Sequence, residues 1–353
     1  MLDYLIVGAG LSGITVAEQL ISTGKKILVY DDNSQASSTV AGGIFNPVIL
    51  KRFTLAWNAD EQLELAIPFY KKLEEKLTIS LIKELPIYRK FHSVEEQNDW
   101  FSAMDKPSLS RFLDEKLIAN LNEHIPSNFS FGHVNHTGVI NTEALLKGYR
   151  DYLVSIDSFQ NETFNYTELK IVNDLCTYKD QKARRIIFCD GFGLKRNPFF
   201  NYLPLQGNKG EYLIIRSEEL QLKVAVKASI FILPLGNDLY KVGATYNNWD
   251  KTKVPTEDGK KYLLEKLQGF ITCEFEVVDQ IAGIRPATND RKPLVGQHPK
   301  MDNVYVCNGF GSRGVLIAPT VASKLFQFLE NSTPLPSEIN IKRYQSKFQE
   351  GSL

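Results

Sequence analysis

The chain has 353 residues, enough for two domains and a sizeable hydrophobic core, which excludes a small disulfide-stapled scaffold. Hydrophobic residues make up 43% and charged residues 23%, as in a folded globular protein rather than a disordered or fibrous one. Forty-one Lys and Arg balance forty-one Asp and Glu, so net charge supplies no attraction to nucleic acid or to anionic membrane.

Cys176, Cys189, Cys273 and Cys307 form no C-x-x-C motif, which gives neither a zinc framework nor a redox pair and predicts reduced thiols. Residues 1–7 read as a strand with no basic and apolar leader ahead of it. No apolar run approaches the roughly 18 residues of a membrane span, so a cytoplasmic protein is expected.

Residues 4–7 are an apolar run leading straight into Gly8-Ala9-Gly10-Leu11-Ser12-Gly13. Ile14, Ala17, Leu20 and Ile21 then recur at helical spacing until Ser22-Thr23-Gly24 ends the helix. Residues 27–30 form a second apolar strand, ending on Asp31-Asp32. Strand, glycine turn, helix, strand and acid compose one βαβ unit, the context in which G-x-G-x-x-G points to a dinucleotide. Helical periodicity follows over residues 60–77. Residues 87–91, 212–215, 230–233 and 240–245 have strand patterning and predict an antiparallel sheet carrying helices as a second domain. The strand at 185–189 stops at Asp190-Gly191-Phe192-Gly193. The last strand, 303–307, runs into Asn308-Gly309-Phe310-Gly311-Ser312-Arg313-Gly314 and an amphipathic helix over 315–329.

Glycines at 8, 10 and 13 permit a tight turn and let backbone N–H groups approach a pyrophosphate at the positive end of the following helix. Asp31, eighteen residues after Gly13, stands where a carboxylate accepts ribose hydroxyls, and Asp32 is its less well placed neighbour. The bland alternative is a tight turn that binds nothing, and the fingerprint does not separate NAD from FAD. The small and hydroxyl residues of 37–47 would let donors approach a long ligand beyond its pyrophosphate. Arg285 lies in an apolar, glycine-containing stretch, where a guanidinium needs either a ligand carboxylate or an acid at the domain boundary. Each of these segments also reads as a plain loop. His133 and His136 have H-x-x-H spacing but no third ligand nearby, so no metal site is expected.

Four segments together resemble the D-amino-acid oxidase family of FAD-dependent oxidoreductases, and within it the glycine oxidases. They are Gly8 to Gly13 with Asp31; Ser37 to Pro47; Phe231-Ile232-Leu233-Pro234 with Val242-Gly243-Ala244-Thr245; and Ala282-Gly283-Ile284-Arg285-Pro286 through Lys292-Pro293-Leu294-Val295-Gly296 to the turn from Gly309. Gly43-Ile44-Phe45-Asn46-Pro47 and Gly311-Ser312-Arg313-Gly314 look more like the oxidoreductase domain of the bifunctional enzyme that matures the wobble uridine of tRNA.

The resemblance implies an α/β fold. A Rossmann-like FAD domain with a parallel sheet of glutathione-reductase type would take residues 1–48, 140–203 and 283–353. An α+β substrate domain with an antiparallel sheet would take 49–139 and 204–282. Carried over position by position, the cofactor residues beyond the three glycines are Leu11 and Ser12 at the pyrophosphate, Asp31 and Asp32 at the ribose, and Ser37, Ser38, Gly42, Gly43 and Ile44 along the phosphates and flavin. Tyr166 falls at an adenine-side backbone contact, and Phe310, Gly311, Ser312, Arg313, Gly314, Val315 and Leu316 line the pyrimidine end of the flavin. A glycine-rich turn opening a helix there would also favour the negative charge of a reduced flavin. Arg285 would bind a substrate carboxylate, Phe231 and Tyr246 would line the substrate pocket, and Asn46 would flank the flavin with Ile44.

Two departures from the glycine oxidase pattern bear on the substrate. Ser312 stands where those enzymes have an arginine, with Arg313 one residue later, and Phe231 replaces a tyrosine. No cysteine lies in residues 288–296, so the resemblance implies non-covalent FAD. The implied reaction is oxidation of a primary or secondary amine of a small amino-acid-like substrate, giving an imine that hydrolyses, with oxygen or another electron acceptor. Two alternatives stay open: oxidation of a carboxymethylaminomethyl-uridine in tRNA, against which the balanced charge weighs, and a flavoprotein with no amine substrate.

Overall fold

A computed structural model describes residues 1–348 except 36, 121 and 173, so the last five residues of the expected 283–353 segment lie outside the described residues. The chain is built around two large sheets. The first has eight strands, drawn from residues 2–31, 159–188 and 294–308. At its centre Leu2–Val7 runs parallel to Ile27–Asp31 on one side and to Gln181–Phe188 on the other, and the latter pairs in parallel with Met301–Asn308. These central strands are nearly continuous apolar runs because both faces are covered. Helices Leu11–Ile21 and Gly314–Asn331 pack together on one face, burying Ile14, Ala17, Leu316 and Val321. Antiparallel strands Lys170–Val172, Leu175–Tyr178 and Leu294–His298 extend the sheet.

The second sheet has seven strands in the order Glu276–Thr288, Leu205–Arg216, Leu239–Gly243, Phe231–Gly236, Ala225–Lys227, Ile87–Lys90 and Phe131–Val134. It is antiparallel except where Ala225–Lys227 runs parallel to Ile87–Lys90. Helix Glu257–Gln268 closes its far face over Leu213, Ile232 and Val242. The 13-residue strand Glu276–Thr288 was not legible in sequence, since exposed Glu276 and Val278 and the interruptions at Gly283 and Pro286 read as loop. A domain boundary drawn at residue 283 falls inside this strand. The strand expected over 240–245 ends instead at Gly243, which leaves Thr245 and Tyr246 on the loop that follows.

That loop is tied down from below. Lys209, fully buried, sends its ammonium to Asp250 at 2.5 Å and to the carbonyl of Val254, with Glu211 at 3.7 Å. The Lys209 bond holds the Asp250 carboxyl down to about 2. Glu211 in turn accepts from the backbone N–H and hydroxyl of Thr256 and from Gln280 Nε2. All four cysteines are buried and free of disulfides. Among the described residues no helix is long and apolar enough to cross a membrane.

Removing one partner of a buried charge network leaves the rest uncompensated. Lys209→Met is therefore expected to lower the unfolding free energy by roughly 3–5 kcal/mol, read from urea denaturation.

Candidate functional site

The two sheets meet along a cavity of about 550 Å³ that runs from the first glycine turn to the face of the second sheet. At the end beside that turn, Gly10 caps helix Leu11–Ile21 in extended backbone, with no side chain of its own to cap the helix. Gly8 has φ of +101°, and a β-carbon there would meet the carbonyl oxygen of Cys189 at 2.5 Å. One on Gly13 would lie 1.8 Å from the carbonyl oxygen of Gly8. These two glycines are demanded by the fold itself. Gly10 differs: its β-carbon would meet only Ser38 Oγ, at an ordinary 3.5 Å, and it lines the cavity. The protein's own packing therefore does not explain a bare α-carbon at Gly10, which leaves the helix end open to the cavity, the setting in which helix N-termini accept phosphates.

Leu11, Ser12, Ser37, Ser38, Gly42, Gly43 and Ile44 all line the cavity with Gly8, Gly10 and Asp31. Gly13 does not, because it is spent on the helix–strand contact. Ser12 Oγ donates to the Cys307 carbonyl at 2.6 Å, and Ser38 Oγ accepts from Leu11 N–H. The Asp31 carboxylate already accepts the N–H groups of Ala9 and Asn33, both at 2.7 Å, so it fixes the turn as well as facing the cavity. Asp32 turns away, accepting from Ser34 N–H and the Thr163 hydroxyl, and is not in the cavity wall.

Tyr166 does not reach the wall either; its hydroxyl donates to Asp190, which does. Asp190 also accepts from Asn197 and Asn308 amides, and burial pushes its carboxyl up to about 6. This polar cluster beside the glycine turn went unread in sequence, where Asp190-Gly191 looked only like a strand stop.

Phe310, Gly311, Ser312, Arg313, Gly314, Val315 and Leu316 line the other end, where helix Gly314–Asn331 starts without a side-chain cap. Its first N–H groups have no acceptor within the helix and give that wall a partial positive charge. The Arg313 guanidinium donates to the carbonyls of Asn46 and Val48, and burial, with Arg291 nearby, pushes it down to about 10. Arg313 thus clamps the 46–48 segment onto the helix start. Gly43, at φ +64°, lies against the Ile140 carbonyl, where a β-carbon would come within 2.0 Å.

The second sheet supplies the floor. In register, Asn208 faces Arg285, and Tyr212, Gly243, Phe231 and Lys227 form one row across four strands, so these side chains share a face. Glycines make the trough. A β-carbon on Gly210 would lie 2.0 Å from Arg285 Nη2, so the guanidinium lies flat over that α-carbon, and Tyr212 lies over Gly243 in the same way. Arg285 Nη1 donates to Asn208 Oδ1 at 2.7 Å and more weakly to the Thr245 carbonyl at 3.4 Å. Among the described residues it has no carboxylate partner, so the acid at the domain boundary that sequence left open is absent there. Phe231 is half-buried in the wall, while Tyr246 is 71% exposed at the rim.

Tyr212 and Lys227 also line the cavity and were missed in sequence. Their signal was the alternation Gly210-x-Tyr212 and the Lys227 strand position, which gain meaning only once the strand register is known. Lys227 Nζ donates to the Ser229 carbonyl at 2.8 Å and sits 5.0 Å from the Phe231 ring centre. Burial, with Arg89 nearby, pushes its ammonium down to about 8. Away from the cavity, His124, Glu219 and Cys273 bring ligand atoms within 4.8 Å of one another, a grouping not foreseen in sequence. The Cys273 thiol is also 3.5 Å from the Ser217 hydroxyl.

The chain matches the family model described as DAO, FAD dependent oxidoreductase, over residues 3–327. It is 25% identical to the tRNA 5-methylaminomethyl-2-thiouridine biosynthesis bifunctional protein MnmC of Legionella pneumophila (strain Lens), with 89% of this chain and 52% of that protein covered. The chain thus spans about half the length of such relatives. To glycine oxidase of Bacillus subtilis (strain 168) it is 28% identical over 37% of this chain and 35% of the relative. In fold it is similar to the crystal structure of glycine oxidase from Bacillus cereus ATCC 14579, with a TM-score of 0.77, 20% identity, and coverage of 95% and 96% of the two chains.

The contrast between the glycines yields a test. Gly10→Ala is expected to leave the melting temperature within about 2 °C while weakening FAD uptake at least about tenfold, because only a ligand fills that space. Gly13→Ala should lower both, since its β-carbon has nowhere to go; calorimetry and flavin-fluorescence titration separate the two effects.

Proposed function

The chain belongs to the DAO family of FAD-dependent oxidoreductases, and from that premise we propose that it oxidises the amine of a small, carboxylate-bearing, amino-acid-like substrate. The single observation that carries this reading is Arg285: a cavity-facing guanidinium laid over Gly210, held through Nη1 by Asn208 Oδ1 and more weakly by the Thr245 carbonyl, and paired with no acid among the described residues. Such a planar fork with open donors suits a carboxylate, which it would fix in orientation as well as affinity. The Asn208 bond fixes the fork before substrate arrives, which lowers the ordering cost of binding.

The residues of the first turn, Asp31, the segments from Ser37 to Ile44 and Phe310 to Leu316 would hold FAD without a covalent link, and the bound cofactor supplies the acceptor for a hydride from the carbon beside the amine. Phe231 and Tyr212 form an apolar wall with one phenol, which would press the substrate's carbon skeleton against that acceptor and exclude water. Arg313 and the open end of helix Gly314–Asn331 would stabilise negative charge that develops beside them. The imine leaves to hydrolyse in water.

A second reading has one specific support. The relative from Legionella pneumophila, matched over 89% of this chain, is named for tRNA 5-methylaminomethyl-2-thiouridine biosynthesis, so the amine could be carried on a tRNA. That reading requires tRNA binding that weakens steeply with salt.

Anaerobic titration of the flavin-loaded protein with amino acids and N-alkylated amino acids tests the first reading by loss of the oxidised flavin absorbance. Arg285→Met is expected to keep the yellow colour but to slow bleaching at least about a hundredfold, the loss of a charged bidentate contact in the transition state. Undiminished bleaching in that variant, or none by any free amine in the parent protein, overturns it.

A further inference from the structure

The cavity floor carries a second cation in addition to the one assigned to the substrate carboxylate. Lys227 ends the short strand Ala225–Lys227 and projects from the same face as Phe231, Tyr212 and Arg285. Its ammonium has three donors. One is used on the Ser229 carbonyl, and the ring of Phe231 lies beside the head group at 5.0 Å. The charged neighbour that acts on it is another cation, Arg89, which is itself committed to Glu96 and to the Lys227 and Ala228 carbonyls. Lys227 therefore has no carboxylate partner among the described residues. The acids in the cavity wall, Asp31 and Asp190, stand at the nucleotide end and are bonded to other groups.

A half-buried ammonium without a counter-ion is costly unless a ligand brings one. We propose that Lys227 binds a second anionic group of the substrate, so that the preferred amine is an acidic one with two negative groups separated by several bonds. This deepens the reading in which Arg285 takes the first carboxylate and rests on it. The register sets the span. The Arg285 guanidinium lies over Gly210, three strand spacings across and two residues along from the row of Lys227, which puts the two backbones roughly 16 Å apart. The lysine stem and a hydrogen bond at each end take up part of that distance. What remains matches a diacid of about five to seven carbons, both carboxyl carbons included, rather than glycine or a two-carbon acid. Phe231 and Tyr212 line the path between the two cations and suit a methylene chain.

The test is binding of non-oxidisable acids to the FAD-loaded protein at pH 7, followed by perturbation of the flavin spectrum. The probes are linear dicarboxylates from malonate to suberate and the monocarboxylates of equal chain length. The expected result is that glutarate to pimelate bind about ten- to a hundredfold more tightly than their monocarboxylate partners, the worth of one charge-assisted hydrogen bond. That ratio should fall to near one in Lys227→Met and be retained in Lys227→Arg. Monocarboxylates that bind as tightly as dicarboxylates of every length overturn the proposal alone, as does a ratio that survives Lys227→Met. Failure of both sets to perturb the flavin removes the Arg285 reading and this proposal with it. Bleaching by amines, scored separately, reports on the oxidation reading and leaves the binding ratio as it stands.

Discussion

Helix Leu11–Ile21 begins in backbone contact with the strand before it, so close that a β-carbon on Gly13 would sit 1.8 Å from the Gly8 carbonyl oxygen. The same turn is pressed from the other side by the Cys189 carbonyl against Gly8. This contact aims the open end of the helix along the cavity, and the Asp31 carboxylate, bonded to Ala9 N–H, locks the turn to the end of the second strand. Every later feature is placed relative to that helix end. The short helix Ser37–Val40 runs from it onto Gly283, whose missing β-carbon would meet Val40 at 3.2 Å, and so seats the nucleotide sheet on the strand that bears Arg285.

Glycine thus does two different jobs in and around the cavity. At Gly8, Gly13 and Gly43 it permits backbone to touch backbone and serves the fold. At Gly210 and Gly243 it leaves a trough in which long side chains lie flat, so Arg285 and Tyr212 face the cavity sideways rather than filling it. Gly10 has neither a positive φ nor a protein neighbour pressed against it to account for its bare α-carbon. Charge is divided along the same axis. Acids and the open end of helix Leu11–Ile21 surround the turn, whereas Arg285 and Lys227 stand on the sheet floor without acids beside them, and Arg313 holds the 46–48 segment at the start of helix Gly314–Asn331.

The βαβ unit and the final strand, turn and helix were legible because apolar runs of one period switch to another at glycines, a signal local to a few residues. The family likeness rested on the same segments and is sustained by a model match across residues 3–327. The strand Glu276–Thr288 was hidden because it is an edge strand, half of it solvated, and its glycine and proline mimic a loop. Asp32 and Tyr166 fell outside the cavity wall because local bonds, to Ser34 and Thr163 in one case and Asp190 in the other, turn them elsewhere. Lys227 and Tyr212 were illegible for a different reason: their shared row depends on pairings among four strands that no single window contains.

The measurement that bears most directly on the central claim is titration of cofactor-stripped protein with FAD, followed by quenching of flavin emission and by the yellow colour that denaturation then releases. A saturable, stoichiometric uptake that NAD does not compete away is the outcome the account predicts. Unquenched flavin at every protein concentration, or colour that stays with the denatured chain, would contradict it.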